Sequence, residues 1–157
     1  MISTDHRHPA SSGGSVPIVK RLASLPRAVR AYAAIVLLNY AAQVAYAADL
    51  YGTHVNLAGA ALLGATLAWF LVGLGGLASG RRAGYLVLLA YAATQVAFYF
   101  HGQVLLAFAG HGMLYALTHA RDGVVWTVFL VGDLNFVAAV GAAVYLVARR
   151  RSLGTLA

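Results

Sequence analysis

Four long apolar runs take up most of the chain, and each is about as long as a lipid bilayer is thick. They cover residues 31–50, 57–78, 83–108 and 124–148. A helix needs roughly 20 apolar residues to cross about 30 Å of hydrocarbon, and a helix lets one segment pair its own backbone N–H and C=O groups there. The pattern therefore predicts an all-α integral membrane protein, built as a four-transmembrane-helix bundle with short connections.

Composition excludes several other kinds of protein. Hydrophobic residues make up 61% of the 157 residues, charged residues make up 10%, and the mean hydropathy is +0.76. An ordinary soluble domain carries roughly 45–50% apolar and about 25% charged residues. The chain has no cysteine, which excludes disulfides, thiolate nucleophiles and Cys-ligated metal centres. The lipid bilayer is therefore the expected partner.

The basic residues predict how the chain is oriented. With four crossings, ten of the eleven Lys and Arg residues fall on one side of the membrane, and only Arg121 falls on the other. This clustering follows the positive-inside rule, and it argues against nucleic-acid binding because the charges do not form a patch on a soluble fold. We expect a multi-pass protein of the cell membrane with both termini cytoplasmic. Its expected parts are a flexible cytoplasmic tail over 1–26, the transmembrane domain over 27–151 and a short cytoplasmic tail over 152–157.

Two segments leave alternatives open. The triplet Ala45-Tyr46-Ala47 resembles a signal-peptide cleavage site, although polar residues such as Asn39 and Gln43 interrupt the apolar run before it. Residues 103–120 are apolar but contain several glycines. They form either a short helix at the outer membrane surface or a lid that folds over the mouth of the bundle.

Asp133 is the polar residue that the bilayer constrains most. It lies about 13 Å into the last apolar run, which is close to the midplane of the membrane. An Asp at that depth costs on the order of 3 kcal/mol, and such residues usually face the interior of a bundle. Two interpretations remain open. Asp133 is either a neutral, protonated clamp between helices or the ionisable floor of a ligand or proton site.

Other polar side chains reach similar depths on the first and third helices. Asn39, Gln43 and Tyr46 share one helical face at i, i+4 and i+7, and Gln95 and Tyr99 share a face of the third helix with Tyr91. Each alone is adequately explained as an interhelical hydrogen bond worth roughly 0.6 kcal/mol. Together with Asp133 they predict a polar cleft that opens to the outer side, where His101 also lies.

Small residues predict where the helices pack. Gly64 with Ala68, and Gly76 with Gly80, form small-xxx-small steps on the second helix, which favour close helix packing in lipid. On the fourth helix a small-residue stripe consists of Gly132, Asn135, Ala139 and Ala142. Asn135 is about 200° around the helix from Asp133, so these two side chains cannot face the same site.

The histidines do not predict a metal or haem site. No two of them have the i, i+4 spacing of a helical metal site, and the pair His111 and His119 spans a predicted loop. We therefore expect no metal and no cofactor. A Ser–His–Asp set at one depth and a phosphate-binding glycine loop are also absent from the sequence.

Three functions remain compatible with these residues. The first is a binding or transport-type bundle that holds a lipophilic ligand, such as a quinone or isoprenoid, or relays a proton. The second is a structural or accessory subunit, in a homo-oligomer or a larger membrane complex. The third is a small intramembrane lipid-modifying enzyme with Asp133 as general acid. No residue other than Asp133 points to this enzymatic function.

Overall fold

The computed structural model describes residues 18–51, 57–108 and 123–154. All regular structure in these segments is helical, which confirms the all-α class. Three helical segments, Arg27–Ala48, Leu57–Ala78 and Trp126–Ala148, are long and apolar enough to cross a membrane. The helices are α1 (Ile18–Ala23), α2 (Arg27–Tyr51), α3 (Leu57–Ala78), α4 (Arg82–Phe108), α5 (Gly123–Ala148) and α6 (Arg150–Gly154).

Helix α1 (Ile18–Ala23) lies within residues 1–26, where we expected a flexible tail. This short helix packs against α3, and Leu22 and Leu25 around its end join the hydrophobic core. Burial of these two leucines orders the segment, although it is too short to show a helical period in the sequence. Residues 1–17 and 155–157 of the two expected tails lie outside the described residues.

Helix α2 begins at Arg27, not at residue 31, because Pro26 starts it. The Arg30 N–H donates a hydrogen bond to the Pro26 carbonyl at 3.1 Å. Proline suits the first turn of a helix since its missing N–H would have had no partner there. The extra turn places Val29 in the core, at 3% exposure.

Helices α3 and α4 form a tight antiparallel hairpin. Gly80 joins them with a positive φ of 71°. The Gly80 N–H donates to the Leu77 carbonyl, and the Arg81 N–H donates to the Gly76 carbonyl, each at 2.9 Å. This pair of bonds is a Schellman motif, whose left-handed residue is normally glycine. The chain therefore reverses within a few residues.

The hairpin is closed by backbone contact between glycines. A Cβ placed on Gly76 would lie 2.7 Å from the Cα of Gly84, and one on Gly73 would lie 2.9 Å from the Leu88 nitrogen. A Cβ on Gly84 would overlap the backbone of Gly76 and Leu77. Side chains cannot fit between α3 and α4 here, so the two helices touch directly.

The four long helices surround one core. Helix α4 lies between α3 and α5, α5 packs along α2, and α2 touches α3 to complete the ring. We call the end where α2 and α4 begin the arginine-rich end. It carries Arg27, Arg30, Arg81, Arg82 and Arg149. Near it, the Tyr85 hydroxyl donates to the Leu146 carbonyl at 3.2 Å and ties α4 to α5.

The core is concentrated toward the arginine-rich end. In α3 the buried residues are Phe70, Gly73, Leu74 and Leu77, all in its second half. None of the α3 residues from 57 to 69 is buried. We call the opposite end of the bundle the open end, because the first half of α3 contributes no buried residue there.

Candidate functional site: a polar cleft toward the open end

Two buried tyrosines on different helices form a hydrogen-bonded pair. The hydroxyl oxygens of Tyr40 on α2 and Tyr91 on α4 lie 3.1 Å apart and share a hydrogen bond. Tyr40 is 8% exposed and Tyr91 is 1% exposed. At about 1.5 Å per residue they lie about 20 Å and 14 Å along their helices from the arginine-rich end. This pair therefore lies near the middle of the bundle.

Aromatic rings surround the tyrosine pair. The Phe70 ring lies 5.1 Å from the Tyr91 ring, and the Trp69 ring meets Tyr91 edge-on at 5.8 Å. Tyr32 meets Phe70 edge-on at 6.1 Å. Edge-to-face and tilted pairs at such distances are favourable. The rings close the core below the tyrosine pair on the side of the arginine-rich end.

Three buried polar atoms at this level or closer to the open end have no hydrogen-bond partner in the described part of the chain. They are the side-chain carbonyl oxygens (Oδ1) of Asn39 and Asn135 and the hydroxyl of Tyr99. By helical rise they lie about 18, 20 and 26 Å from the arginine-rich end. A buried polar group without a partner costs roughly 1–3 kcal/mol in proteins, and native structures seldom keep one unpaired. We call the region of α2, α4 and α5 that carries these three atoms the polar cleft, and each atom is a candidate to pair with a bound polar group.

Tyr99 is held in place by α5. Its ring stacks on Phe136 with centroids 4.8 Å apart and planes 18° from parallel. A Cβ on Gly132 would lie 3.5 Å from the Tyr99 ring, so the absent side chain of the glycine leaves room for the tyrosine. The ring is rigidly packed while its hydroxyl lacks a partner. The Tyr99 hydroxyl is therefore an available hydrogen-bond donor beside α5.

Asn135 is a residue of the cleft that the sequence pattern did not predict as a site. It is 4% exposed and is the one buried polar residue among those the structure describes. It shares the inward face of α5 with Val131, Ala139 and Leu146. The small-residue stripe through Gly132 and Ala139 already predicted a packing face here. That stripe was the signal for Asn135, although it indicated packing only.

Asp133 lies on the other side of α5. It is about 200° around the helix from Asn135, so it does not join the inward polar atoms. Asp133 itself is half-buried. Its face of α5 is otherwise apolar and exposed, with Leu130 at 65%, Val137 at 65% and Val144 at 64%. Asp133 and Asn135 therefore face different sides of α5.

The remaining candidates lie around the cleft or outside the described part. Gln43 and Tyr46 on α2 and Gln95 on α4 are half-buried. The backbone of His101 belongs to α4, but its side chain lies outside the described residues, as do all the other histidines. Residues 109–122, which hold most of the predicted lid or interfacial helix, also lie outside. Within the described chain no three His, Asp or Glu side chains group as a metal site would require.

The fourth unpartnered atom is separate from the cleft. The Tyr32 hydroxyl is buried without a described partner, but Tyr32 lies only about 8 Å from the arginine-rich end.

No model of a known protein family, no curated protein and no solved structure matches this chain.

Proposed function

We propose that the protein is a small membrane-embedded binding or transport-type bundle, and that its ligand sits in the polar cleft between α2, α4 and α5. The observation that carries the proposal is the set of three unpartnered polar atoms, on Asn39, Tyr99 and Asn135. They belong to three different helices that pack around one core. In lipid, water is scarce, so a ligand that pairs with them recovers several kcal/mol.

The topology follows the positive-inside rule. α2, α3, α4 and α5 each cross the membrane, the arginine-rich end is cytoplasmic, and the cleft opens outward. Helix α4 has 27 residues and packs between α3 and α5, which supports counting it as a fourth crossing. On this view the protein is a multi-pass protein of the cell membrane.

The donors and acceptors limit the class of ligand. Tyr99 offers an O–H, and Asn39 and Asn135 offer carbonyl oxygens, so the ligand needs both an acceptor and a donor in its polar head. The surrounding residues, such as Phe70, Ala92 and Ala139, are apolar. A lipophilic molecule with a small polar head, such as a quinol or an isoprenoid alcohol, meets both requirements. Alternatively, ordered water in the cleft would provide a path for protons.

Native mass spectrometry of the gently solubilised protein tests this proposal. We expect the wild-type chain to retain a small lipophilic molecule, and Asn135→Leu to retain it roughly tenfold less, which corresponds to one lost hydrogen bond. Tyr99→Phe should have a similar effect. Tyr32→Phe is the matched control, because it removes an equally unpartnered hydroxyl outside the cleft.

The Tyr32→Phe control shows whether a loss of ligand retention comes from the cleft itself or from general destabilisation of the protein. If Tyr32→Phe lowers retention as much as Tyr99→Phe does, the ligand does not occupy the proposed cleft. If the wild-type chain carries no molecule and Asn135→Leu raises the melting temperature, the polar atoms are buried groups without a hydrogen bond and do not form a ligand site. That second result would overturn the binding function.

A second candidate is an accessory or oligomeric subunit, and the position of Asp133 favours it. Asp133 lies about 15 Å along α5, near the midplane, on a face whose neighbours are exposed. An acidic group facing lipid at this depth costs on the order of 3 kcal/mol, which a hydrogen bond across a subunit interface would offset. Native mass spectrometry tests this candidate as well. The wild type should have a multiple of the chain mass, and Asp133→Leu should have the mass of a single chain. Val137→Leu, on the same face, should keep the multiple.

A further inference from the structure

A groove at the arginine-rich end is distinct from the polar cleft. It has a volume of about 390 Å³ and lies between α3, the start of α4 and the short helix α1. Ligand pockets commonly have volumes of about 300–1,000 Å³. The floor of the groove is made of small residues, Gly75, Gly76 and Gly84, at the place where α3 and α4 touch.

The rim of the groove is basic and polar. Arg21 of α1 and Arg81 of the α3–α4 turn line it, together with Ser79. Arg21 is half-buried, and neither arginine forms an ion pair with a described residue. The only carboxylate whose side chain the structure describes is that of Asp133, which lies near mid-membrane on α5. The two guanidinium groups are thus uncompensated by the described part of the protein.

The wall of the groove is apolar and faces away from the core. Leu71 is 48% exposed and Val72 is 66% exposed, and Val87 continues this surface on α4. From the rim, the wall runs along α3 toward the middle of the bundle. The groove therefore combines a cationic head region with an apolar channel open on one side. The proposed topology places this end of the bundle at the membrane surface.

We propose that this groove binds one anionic phospholipid, with its phosphate between Arg21 and Arg81 and an acyl chain along Leu71, Val72 and Val87. Basic pockets between membrane helices bind anionic lipid head groups, and arginine pairs with phosphate through two parallel hydrogen bonds. The Ser79 hydroxyl adds a third donor. A free phosphate ion would leave the apolar wall uncovered, so the charge and the wall together select a lipid. This site is independent of the polar cleft.

The test is a titration of the purified full-length protein with phosphatidylglycerol, and separately with phosphatidylcholine, followed by native mass spectrometry. We expect phosphatidylglycerol to bind more tightly than phosphatidylcholine. An arginine near an anionic lipid is worth roughly a factor of five in affinity, so Arg21→Gln with Arg81→Gln should weaken phosphatidylglycerol binding by about 10- to 30-fold. Arg149→Gln with Arg150→Gln removes the same charge at the same end and should leave binding unchanged.

A second pair of variants tests the apolar part without changing charge. Gly75 lines the groove, and a Cβ there meets no atom within 4 Å, so Gly75→Leu is chosen to place a side chain in the groove. Gly141 on α5 is equally open and supplies the matched control Gly141→Leu. We expect Gly75→Leu to lower phosphatidylglycerol binding at least about tenfold, with Gly141→Leu like the wild type.

Three results would overturn the proposal. The first is equal binding of phosphatidylglycerol by the wild type and the Arg21, Arg81 double variant. The second is an equal loss in the Arg149, Arg150 control, which would mean general attraction of charge. The third is competition by inorganic phosphate together with unchanged binding in Gly75→Leu, which would mean a simple anion site and no lipid.

Discussion

At the scale of single residues, the buried tyrosines divide into two groups. The hydroxyls of Tyr40 and Tyr91 pair with each other, and that of Tyr85 bonds the Leu146 carbonyl. Those of Tyr32 and Tyr99 have no partner among the described residues. The paired hydroxyls join helices. Each unpartnered hydroxyl lowers the stability of the folded protein unless a bound group forms a hydrogen bond with it. The same residue type therefore has two different physical roles within one bundle.

This difference predicts opposite effects for two otherwise identical substitutions. Tyr40→Phe should lower the free energy of unfolding by roughly 0.6–1.7 kcal/mol, since it breaks an interhelical hydrogen bond and leaves the Tyr91 hydroxyl unpaired. Tyr32→Phe should be neutral or stabilising, because it deletes a hydroxyl without a described partner. Equilibrium unfolding in mixed micelles measures both. A larger loss in Tyr32→Phe than in Tyr40→Phe would contradict this assignment.

At the scale of elements, α3 behaves as two different halves. Its second half is in backbone contact with α4 through Gly73 and Gly76, while Gly64 in its first half has no atom within 4 Å of an added Cβ. The packed half fixes the crossing of the hairpin. The exposed half carries apolar residues such as Leu57 and Leu62 toward lipid, at 79% and 68% exposure.

Two glycine substitutions compare these halves. Gly84→Ala places a methyl group against the backbone of Gly76 and Leu77, so it should destabilise the protein by about 1–3 kcal/mol. Gly64→Ala meets open space and should be neutral or slightly stabilising, because alanine favours the helix. Thermal unfolding in detergent compares the two variants. Equal melting temperatures would mean that α3 and α4 do not touch at the glycines.

At the scale of the whole molecule, the main feature is which helix ends share the same end of the bundle. The α1–α2 link, the α3–α4 turn and the end of α5 share the arginine-rich end, and Gly123 begins α5 at the open end. The proposed topology places these two ends on opposite sides of a membrane. This arrangement follows from antiparallel packing of consecutive helices α3 and α4 and from the Tyr85–Leu146 contact.

The absence of native cysteine makes this arrangement easy to test. We expect a membrane-impermeant maleimide to label Ser24→Cys and Ser79→Cys from the cytoplasmic side, and Gly123→Cys from the outer side only. All three positions are exposed. Labelling of Ser24 and Ser79 from opposite sides would contradict the antiparallel bundle. Labelling of both from outside would reverse the proposed orientation.

The sequence predicted the three helices that are long and apolar enough to cross a membrane, α2, α3 and α5, because length and hydropathy determine what can cross a bilayer. It could not tell which face of each helix points inward. In α5 apolar residues cover every side, so neither Asp133 nor Asn135 stands out by amphipathic pattern. The depth of Asp133 in the membrane favoured that residue as part of a site. In the structure, helix packing buries Asn135 and leaves Asp133 on the opposite face of α5.

The glycines of α3 show the same limit. The step of Gly64 and Ala68 predicted a packing face just as the step of Gly76 and Gly80 did. Within the described chain, Gly64 meets nothing and Ala68 is exposed, while Gly76 touches Gly84 and Gly80 forms the turn. Small residues permit close approach, but the neighbouring helix decides where it occurs. That neighbour cannot be identified from the spacing within one helix.

The extensive packing of α2 on α5 has a consequence for how the protein is made. Synthesis completes α2 long before α5, so α2 must wait for α5 before it meets its main neighbour. Meanwhile the α3–α4 hairpin can close locally at its glycines. Assembly is thus completed from the C-terminal side, with α5 entering last between two helices already in place.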